Sequence, residues 1–382
     1  MAASPTKSPL TWAVHLSALL LVAIWLLPTF GLFVSSIRTK DQISVSGWWT
    51  ALTSSTQNSI KRAPGADGQT ERNGQFVISG NLLEGEAGKV SAFGFSSRAP
   101  DKFKPGEVAE LRDGSLLTVE ADGQFEIVSD KKFTKSRGQR IFITATTPPS
   151  FTTDNFTTVI NAEGLGRSFI NSLTVTIPAT IIPILIAAFA AYALAWMEFP
   201  GRAILIAVVV GLLVVPLQMS LIPLLTAYQK IGAFFGFPGK TYLGIWLAHT
   251  GFGLPLAIYL LRNYIAGLPR EIIESARVDG ATDFEIFLKI ILPLSFPALA
   301  SFAIFQFLWV WNDLLVAMVF LGAGDDELVL TGRLVNLLGS RGGDWDILSA
   351  SAFITIVVPI IVFFSLQRYL VRGLLAGSVK GG

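Results

Sequence analysis

Apolar and polar positions fall into long blocks along this chain. Residues 10–37 (LTWAVHLSALLLVAIWLLPTFGLFVSSI) are almost wholly apolar, and further apolar stretches follow at about 169–195, 203–226, 241–262, 297–321 and 348–371. A bilayer core is crossed by roughly 20 such residues in a helix, so the pattern predicts six membrane spans. The first run is longer than a signal-peptide core, and no small-x-small cleavage site follows it, which predicts an uncleaved anchor. Span two opens with Asn171, Ser172 and Thr174 and holds Pro178 and Pro183; span three holds Pro216 and Pro223. A proline in a membrane helix frees a carbonyl that a neighbour must satisfy, so these spans are expected to be kinked and packed against protein. The kinks serve gating or merely shape the bundle.

Residues 38–167 differ in kind. Gly, Asp, Lys and Ser rise, and short alternating stretches appear at 74–79, 89–95, 115–121, 124–129 and 140–146. These read as strands with turn residues between them. Ala121-Asp122-Gly123-Gln124 suits a hairpin, because Asp-Gly tolerates positive φ. The expectation is a small β-rich domain outside the membrane, preceded by a looser segment at 54–74.

A polar island, EIIESARVDGATDFEIFLKIILP, occupies 271–293 between apolar spans. Pro269 suits a helix start, good helix formers follow, and Gly280 stands where a helix stop wants glycine. Thr282 and Glu285 have the spacing of a capping box for a second short helix. The residues alone thus predict two short helices hinged at Gly280. Ala276 and Gly280, four apart with Ser275 beside them, would let another surface approach the backbone.

Composition narrows the class. With 51% apolar and 15% charged residues, a polytopic membrane protein in contact with lipid is expected. The chain lacks cysteine, so disulfides and thiolate metal sites are excluded, and no metal-ligand spacing appears. A net charge of +2 argues against nucleic-acid binding. With the N-terminus inside, short cytoplasmic pieces carry Lys7, Arg202, Arg262, Arg270, Arg277, Lys289, Arg368, Arg372 and Lys380, against Lys230, Lys240, Arg333 and Arg341 in short outer loops. This bias places both termini and loop 263–296 in the cytoplasm and 38–167 outside.

The polar island resembles the EAA loop, E-A-A-x3-G-x9-I-x-L-P, of permease subunits of binding-protein-dependent ABC importers. Glu274, Ser275, Ala276, Gly280, Ile290, Leu292 and Pro293 carry the match, with Ser275 in place of the middle alanine. The likeness extends over the first span and residues 168–382. Pro216-Leu217-Gln218, Ile222-Pro223-Leu224, Leu260-Leu261-Arg262, Trp311-Asn312-Asp313 and the closing Gly377-Ser378-Val379-Lys380-Gly381 resemble the carbohydrate-importer branch. The chain is most similar to second permeases of maltose-type importers and, with its long insert, to those of α-glucoside importers.

The resemblance implies an all-α polytopic protein with the ABC type I importer permease fold and an external β-rich insert. It implies a bacterial inner-membrane subunit that is not an enzyme and binds no cofactor itself. ATP would sit on a separate ATP-binding protein dimer, alongside a sister permease and a periplasmic sugar-binding protein. Glu274 to Gly280, with Arg277 and Asp279, and Ile290 to Pro293 would form the coupling loop that meets the ATPase. The tail Gly377, Ser378, Val379 and Lys380 would reach the same partner. The outer loop at 322–346 corresponds by position alone to one that probes the binding protein.

Two further features need weighing. Gly239-Lys240-Thr241 looks like the end of a Walker A motif, but the required earlier glycine is Phe234. Asn312 and Asp313 lie inside span five, where an acid marks either a pathway or a buried structural hydrogen bond. A gradient-driven carrier using Asp313 is the alternative function; against it stands the lack of a detectable inverted repeat.

Overall fold

The computed structural model describes residues 9–84, 87–340 and 343–376. It divides into two compact units, one comprising the chain up to Asn155 with Trp345–Ala350, the other Phe156–Asp344 and Ser351–Gly382.

The first unit begins with helix α1 (Pro9–Ser36), whose apolar side chains are exposed nearly all round, as lipid requires. A short helix α2 (Lys40–Val45) follows. Buried Arg38 places its guanidinium on the Gln42 and Ser46 carbonyls at 3.0 and 3.1 Å, at the end of α2 where orphan carbonyls need donors. Asn155 Nδ2 donates to the carbonyls of Ser36 and Arg38, and Gln42 Nε2 to that of Pro148. These bonds fasten both ends of the insert to the end of α1.

The insert is a two-sheet β domain. Its strands are β1 (Ser55–Arg62), β2 (Gln69–Arg72), β3 (Gln75–Asn81), β4 (Lys89–Gly94), β5 (Val108–Glu110), β6 (Leu116–Val119), β7 (Gln124–Ser129) and β8 (Arg140–Thr147). One sheet runs β1-β8-β4, the other β2-β3-β7-β6-β5. Phe93, Leu117, Ile127, Ile141 and Ile143 fill the core between them. The β6–β7 turn forms at Asp122-Gly123, with Gly123 at φ +83°. The segment expected to be loose instead holds β1 and β2. Strand β1, STQNSIKR, lacks an apolar face; its full-length antiparallel ladder with β8, from Ser55↔Thr147 to Arg62↔Arg140, makes it a strand.

The second unit is helical: α3 (Asp154–Ile160, which begins in the first unit), α4 (Leu165–Trp196), α5 (Arg202–Leu212), α6 (Leu217–Phe235), α7 (Tyr242–Ala266), α8 (Arg270–Val278), α9 (Asp283–Ile286), α10 (Leu292–Leu294), α11 (Phe296–Asn312), α12 (Leu314–Phe320), α13 (Leu330–Ser340) and α14 (Trp345–Ala376). Among the described residues four helices are long and apolar enough to cross a membrane, or six if two bent pairs each count as one span. Span three is broken rather than kinked: α5 and α6 meet at 106°. Pro216 lacks an N–H and disfavours helix at Val215, so the chain leaves α geometry there. The second bent pair joins Asp283–Leu294 to Phe296–Asn312 at 68°; beyond it the helix of span five ends at Asn312 and a new one starts at Leu314.

Helix α4 stays continuous through Pro178 and Pro183. Each proline removes the N–H that would bond the carbonyl four residues earlier. Trp246 Nε1 of α7 donates to the carbonyl of Thr174 at 2.8 Å, and Gln306 Nε2 of α11 to that of Ala179 at 3.1 Å. The device recurs in α14, where Pro359 frees the Thr355 carbonyl and Trp311 Nε1 takes it at 3.1 Å. Gly253 makes room: a Cβ there would lie 2.6 Å from Gln306 Oε1.

Gln306→Leu should therefore lower the apparent melting temperature of the detergent-solubilised chain, through an unanswered buried carbonyl costing about 1 kcal/mol. Adding Pro183→Ala restores an N–H for Ala179 and should recover most of the loss. A double variant no more stable than the single one would refute the pairing.

Candidate functional site

The loop between α7 and α11 is built as its residues direct. Pro269 precedes α8, and Gly280 follows it at φ +82°, a left-handed conformation that a side chain strains. Its N–H bonds the Arg277 carbonyl, and that of Ala281 bonds Ala276, closing α8. Thr282 Oγ1 accepts the Glu285 N–H at 3.3 Å while Glu285 Oε2 accepts the Thr282 N–H at 3.1 Å, so the capping box is complete. A π-helical turn, Phe287–Ile291, then precedes Pro293, with the Leu292 N–H bonded to the Phe287 carbonyl.

The loop has two faces. Ile273, Ile286, Phe287 and Ile291 are buried in the cluster formed with Ala191 and Tyr192 of α4 and Leu261 and Ile265 of α7. The other face presents Glu274, Ser275, Asp279 and Gly280, all exposed. Val278 is 87% and Phe284 61% exposed on the same loop. These two apolar side chains were not singled out by the sequence pattern; their mark is an apolar residue in a polar island, out of register with the buried face. Ala276 differs from expectation, since it packs inward against the core cluster while a Cβ on Gly280 would meet nothing within 4 Å. The open approach is therefore over Gly280. Ile290 and Leu292 are half-buried and Pro293 is exposed.

Charges on the loop pair locally. Arg277 Nη2 lies 3.0 Å from Asp283 Oδ1, Lys289 Nζ 3.1 Å from Glu285 Oε1, and Arg270 3.9 Å from Glu274. The Thr282 backbone N–H, then Lys289, then the Thr282 hydroxyl hold Glu285 down at about 2.

Asn312 and Asp313 serve the helix break. Asp313 Oδ1 accepts the Val316 N–H at 3.0 Å, capping α12, and Asn312 Nδ2 donates to the Leu308 carbonyl at 2.7 Å. Neither lines the large cavity of the second unit. That cavity, about 850 Å³, is bounded by α6, α7 and α11 and the α5–α6 break, and its lining includes Ser220, Tyr228, Gln306 and Trp309 beside Phe252, Phe302 and Phe305. Gln306 and Trp309, which line it, lie about two turns and one turn before Asp313. Sequence reasoning passed over Gln306 because a lone amide in an apolar run reveals no face. Thr241 of the Walker-like triplet caps α7, its hydroxyl accepting the Gly244 N–H at 3.1 Å. The segment from Asp326 to Leu330 is pinned to α4: Asn171 Nδ2 donates to the carbonyls of Asp326 and Leu328, Ser172 Oγ accepts the Leu330 N–H, and Arg167 pairs with Asp326. The tail from Gly377 to Lys380 lies outside the described residues.

A family model described as the inner membrane component of binding-protein-dependent transport systems matches residues 129–375, which include the whole loop and the cavity. The chain belongs to that family. It is 78% identical over 376 residues, 98% of this chain and 99% of the relative, to the alpha-glucoside transport system permease protein AglG of Rhizobium meliloti. It is 42% identical over 367 residues, 96% of this chain and 91% of the relative, to the osmoprotective compounds uptake permease protein GgtD of Synechocystis. A crystal structure of a bacterial ABC transporter importing alginate covers 59% of this chain and 81% of its own, at 22% identity and a TM-score of 0.48. A binding-protein-dependent transport component is an ABC importer permease and not an enzyme, and the gradient-driven alternative finds no support.

The capping box has a testable pH signature. A carboxylate held at about 2 stabilises the loop fully above its ordinary value of 4.5, and that contribution is lost as pH falls towards 2. Hydrogen exchange of amides 283–286, corrected for intrinsic rates, should quicken below pH 4.5 in the native chain. Glu285→Gln should exchange fast at every pH and flatten the profile; an unchanged profile would contradict the assignment.

Proposed function

We propose that this chain forms half of the translocation pathway of an α-glucoside importer and couples it to a separate ATPase through the loop from Arg270 to Pro293. The observation that carries the sugar assignment is 78% identity over nearly the full length of an alpha-glucoside permease. The coupling assignment rests on the two-faced loop. One face is buried in the helical bundle, and the other offers Glu274, Asp279, Val278, Gly280 and Phe284 to a partner.

The partners are a sister permease, a dimer of ATP-binding proteins and a periplasmic sugar-binding protein, in the bacterial inner membrane with both termini cytoplasmic. ATP is bound by the partner, and this chain carries no cofactor. Glu274 and Asp279 supply polar contacts to the ATPase, and Gly280 lets it approach the backbone. The tail Gly377 to Lys380 reaches the same subunit. The cavity supplies this chain's share of the pathway. The Trp309 and Tyr228 rings match the C–H faces of a sugar, and Gln306 and Ser220 its hydroxyls. The β insert meets the loaded binding protein outside the membrane.

Material co-purified on a tagged chain in mild detergent should hydrolyse ATP, faster with α-glucoside-loaded binding protein. Gly280→Asp, which adds charge and bulk on the open face, should abolish co-purification; retained, stimulated activity would overturn docking there. Absence of any ATPase across several detergents would overturn the importer assembly itself.

The insert can be excised cleanly, because Ser55 and Thr147 are paired at its base and their Cα atoms lie about 5 Å apart. Replacing 56–146 by two glycines should weaken binding-protein affinity while leaving the ATPase attached. Unchanged affinity and uptake would remove the insert from this role.

A further inference from the structure

One carboxylate spans the hinge at Gly280. Asp283, the first residue of α9, receives two donors on the same oxygen: Arg277 Nη2 from the last turn of α8 at 3.0 Å, and the Tyr192 hydroxyl from α4 at 3.2 Å. Arg277 and Asp283 are each about half exposed, so as an ion pair alone they would contribute little. Tyr192 is only 4% exposed. Its ring also lies 5.6 Å from that of Phe287, which sits 4.4 Å from Phe189 one turn earlier on α4.

Among the described residues the other packing between the loop and α4, through Ile286, Phe287 and Ile291, is apolar, and the hydrophobic effect is non-directional. A hydrogen bond to a charged oxygen is directional and short-ranged. The Tyr192–Asp283 bond therefore fixes where the loop sits along α4. The helix it grips is a single rod of 32 residues, about 48 Å long, kept continuous across two prolines by Trp246 and Gln306. Towards its opposite end, Asn171 and Ser172 hold the segment from Asp326 to Leu330. A displacement delivered to the loop is thereby carried along one helix to the far side of the bundle.

We propose that Arg277, Asp283 and Tyr192 form a clasp that makes the coupling loop and α4 move as one body, so that they are positioning residues for transport. Arg277 and Asp283 lock the two short helices across Gly280, and Tyr192 ties the locked pair to the membrane helix. The clasp rests on the reading that this loop meets the ATPase. It goes beyond that reading by naming the linkage that turns docking into movement of the pathway.

The test uses the full complex in proteoliposomes, with Tyr192→Phe and Asp283→Asn compared with the unmodified chain. The readout is α-glucoside transported per ATP hydrolysed, per complex, with and without loaded binding protein. Tyr192→Phe removes one oxygen and leaves the ring packing, so it should assemble with the ATPase normally. Transport per ATP should fall by about fivefold or more, the range expected of a lost coupling interaction, while basal hydrolysis persists. Asp283→Asn should do the same, and the double variant should be no worse than Asp283→Asn alone. A merely structural role would lower the amount of complex and leave the ratio unchanged. If ATPase co-purifies and both variants keep the native ratio, the clasp is wrong and docking stands. If no ATPase co-purifies with the unmodified chain, the docking reading fails and the clasp falls with it.

Discussion

A carbonyl that has lost its helical donor cannot be left in lipid, and the helical unit is arranged around that constraint. Three prolines, at 178, 183 and 359, each expose one carbonyl, and each is answered by a donor on another helix: Trp246, Gln306 and Trp311. Each bond brings two helices together at a fixed height, which non-directional apolar packing cannot do. Gly253 is then required, because a larger residue would occupy the place of the Gln306 amide. Before Pro216 the chain takes the other course and breaks.

This arrangement gives α4 its place in the molecule. It remains one helix despite two prolines, and it holds something at either end. Towards one end Asn171 and Ser172 grip the segment after α12; towards the other Tyr192 meets Asp283, and the buried face of the loop packs around it. The bent helices α5 and α6 share with α7 and α11 the lining of the large cavity. The continuous helix thus joins the two contacts, while the broken ones help to surround open space.

Family membership and local geometry support each other without being the same evidence. The family match runs through the whole loop. Geometry explains what those residues do here. Gly280 takes a left-handed backbone and leaves space above it, Ala276 turns inward, and Pro293 follows a π-helical turn. Asp283 lies outside the glycine-and-proline spacing, and only the structure joins it to Arg277 and Tyr192.

The sequence by itself determined where the apolar helical segments fall, the β-rich insert, the hinge at Gly280 and the capping box of Thr282 and Glu285. All of these rest on local rules: hydropathy over a helix length, alternation along a strand, positive φ at glycine and a side chain reaching three residues along. The spacing from Glu274 to Pro293 also carried the family. Tertiary structure alone decided the features that depend on residues far apart. Strand β1 has no apolar alternation and exists because β8 pairs with it. The Ala179 carbonyl freed by Pro183 is answered by Gln306, more than a hundred residues away. Asp313 caps a helix break, while the cavity falls to Gln306 and Trp309 on the same helix, since the facing of a uniformly apolar helix is set by its neighbours. Local patterns fix what a segment becomes; which buried polar groups meet is settled only when the helices pack.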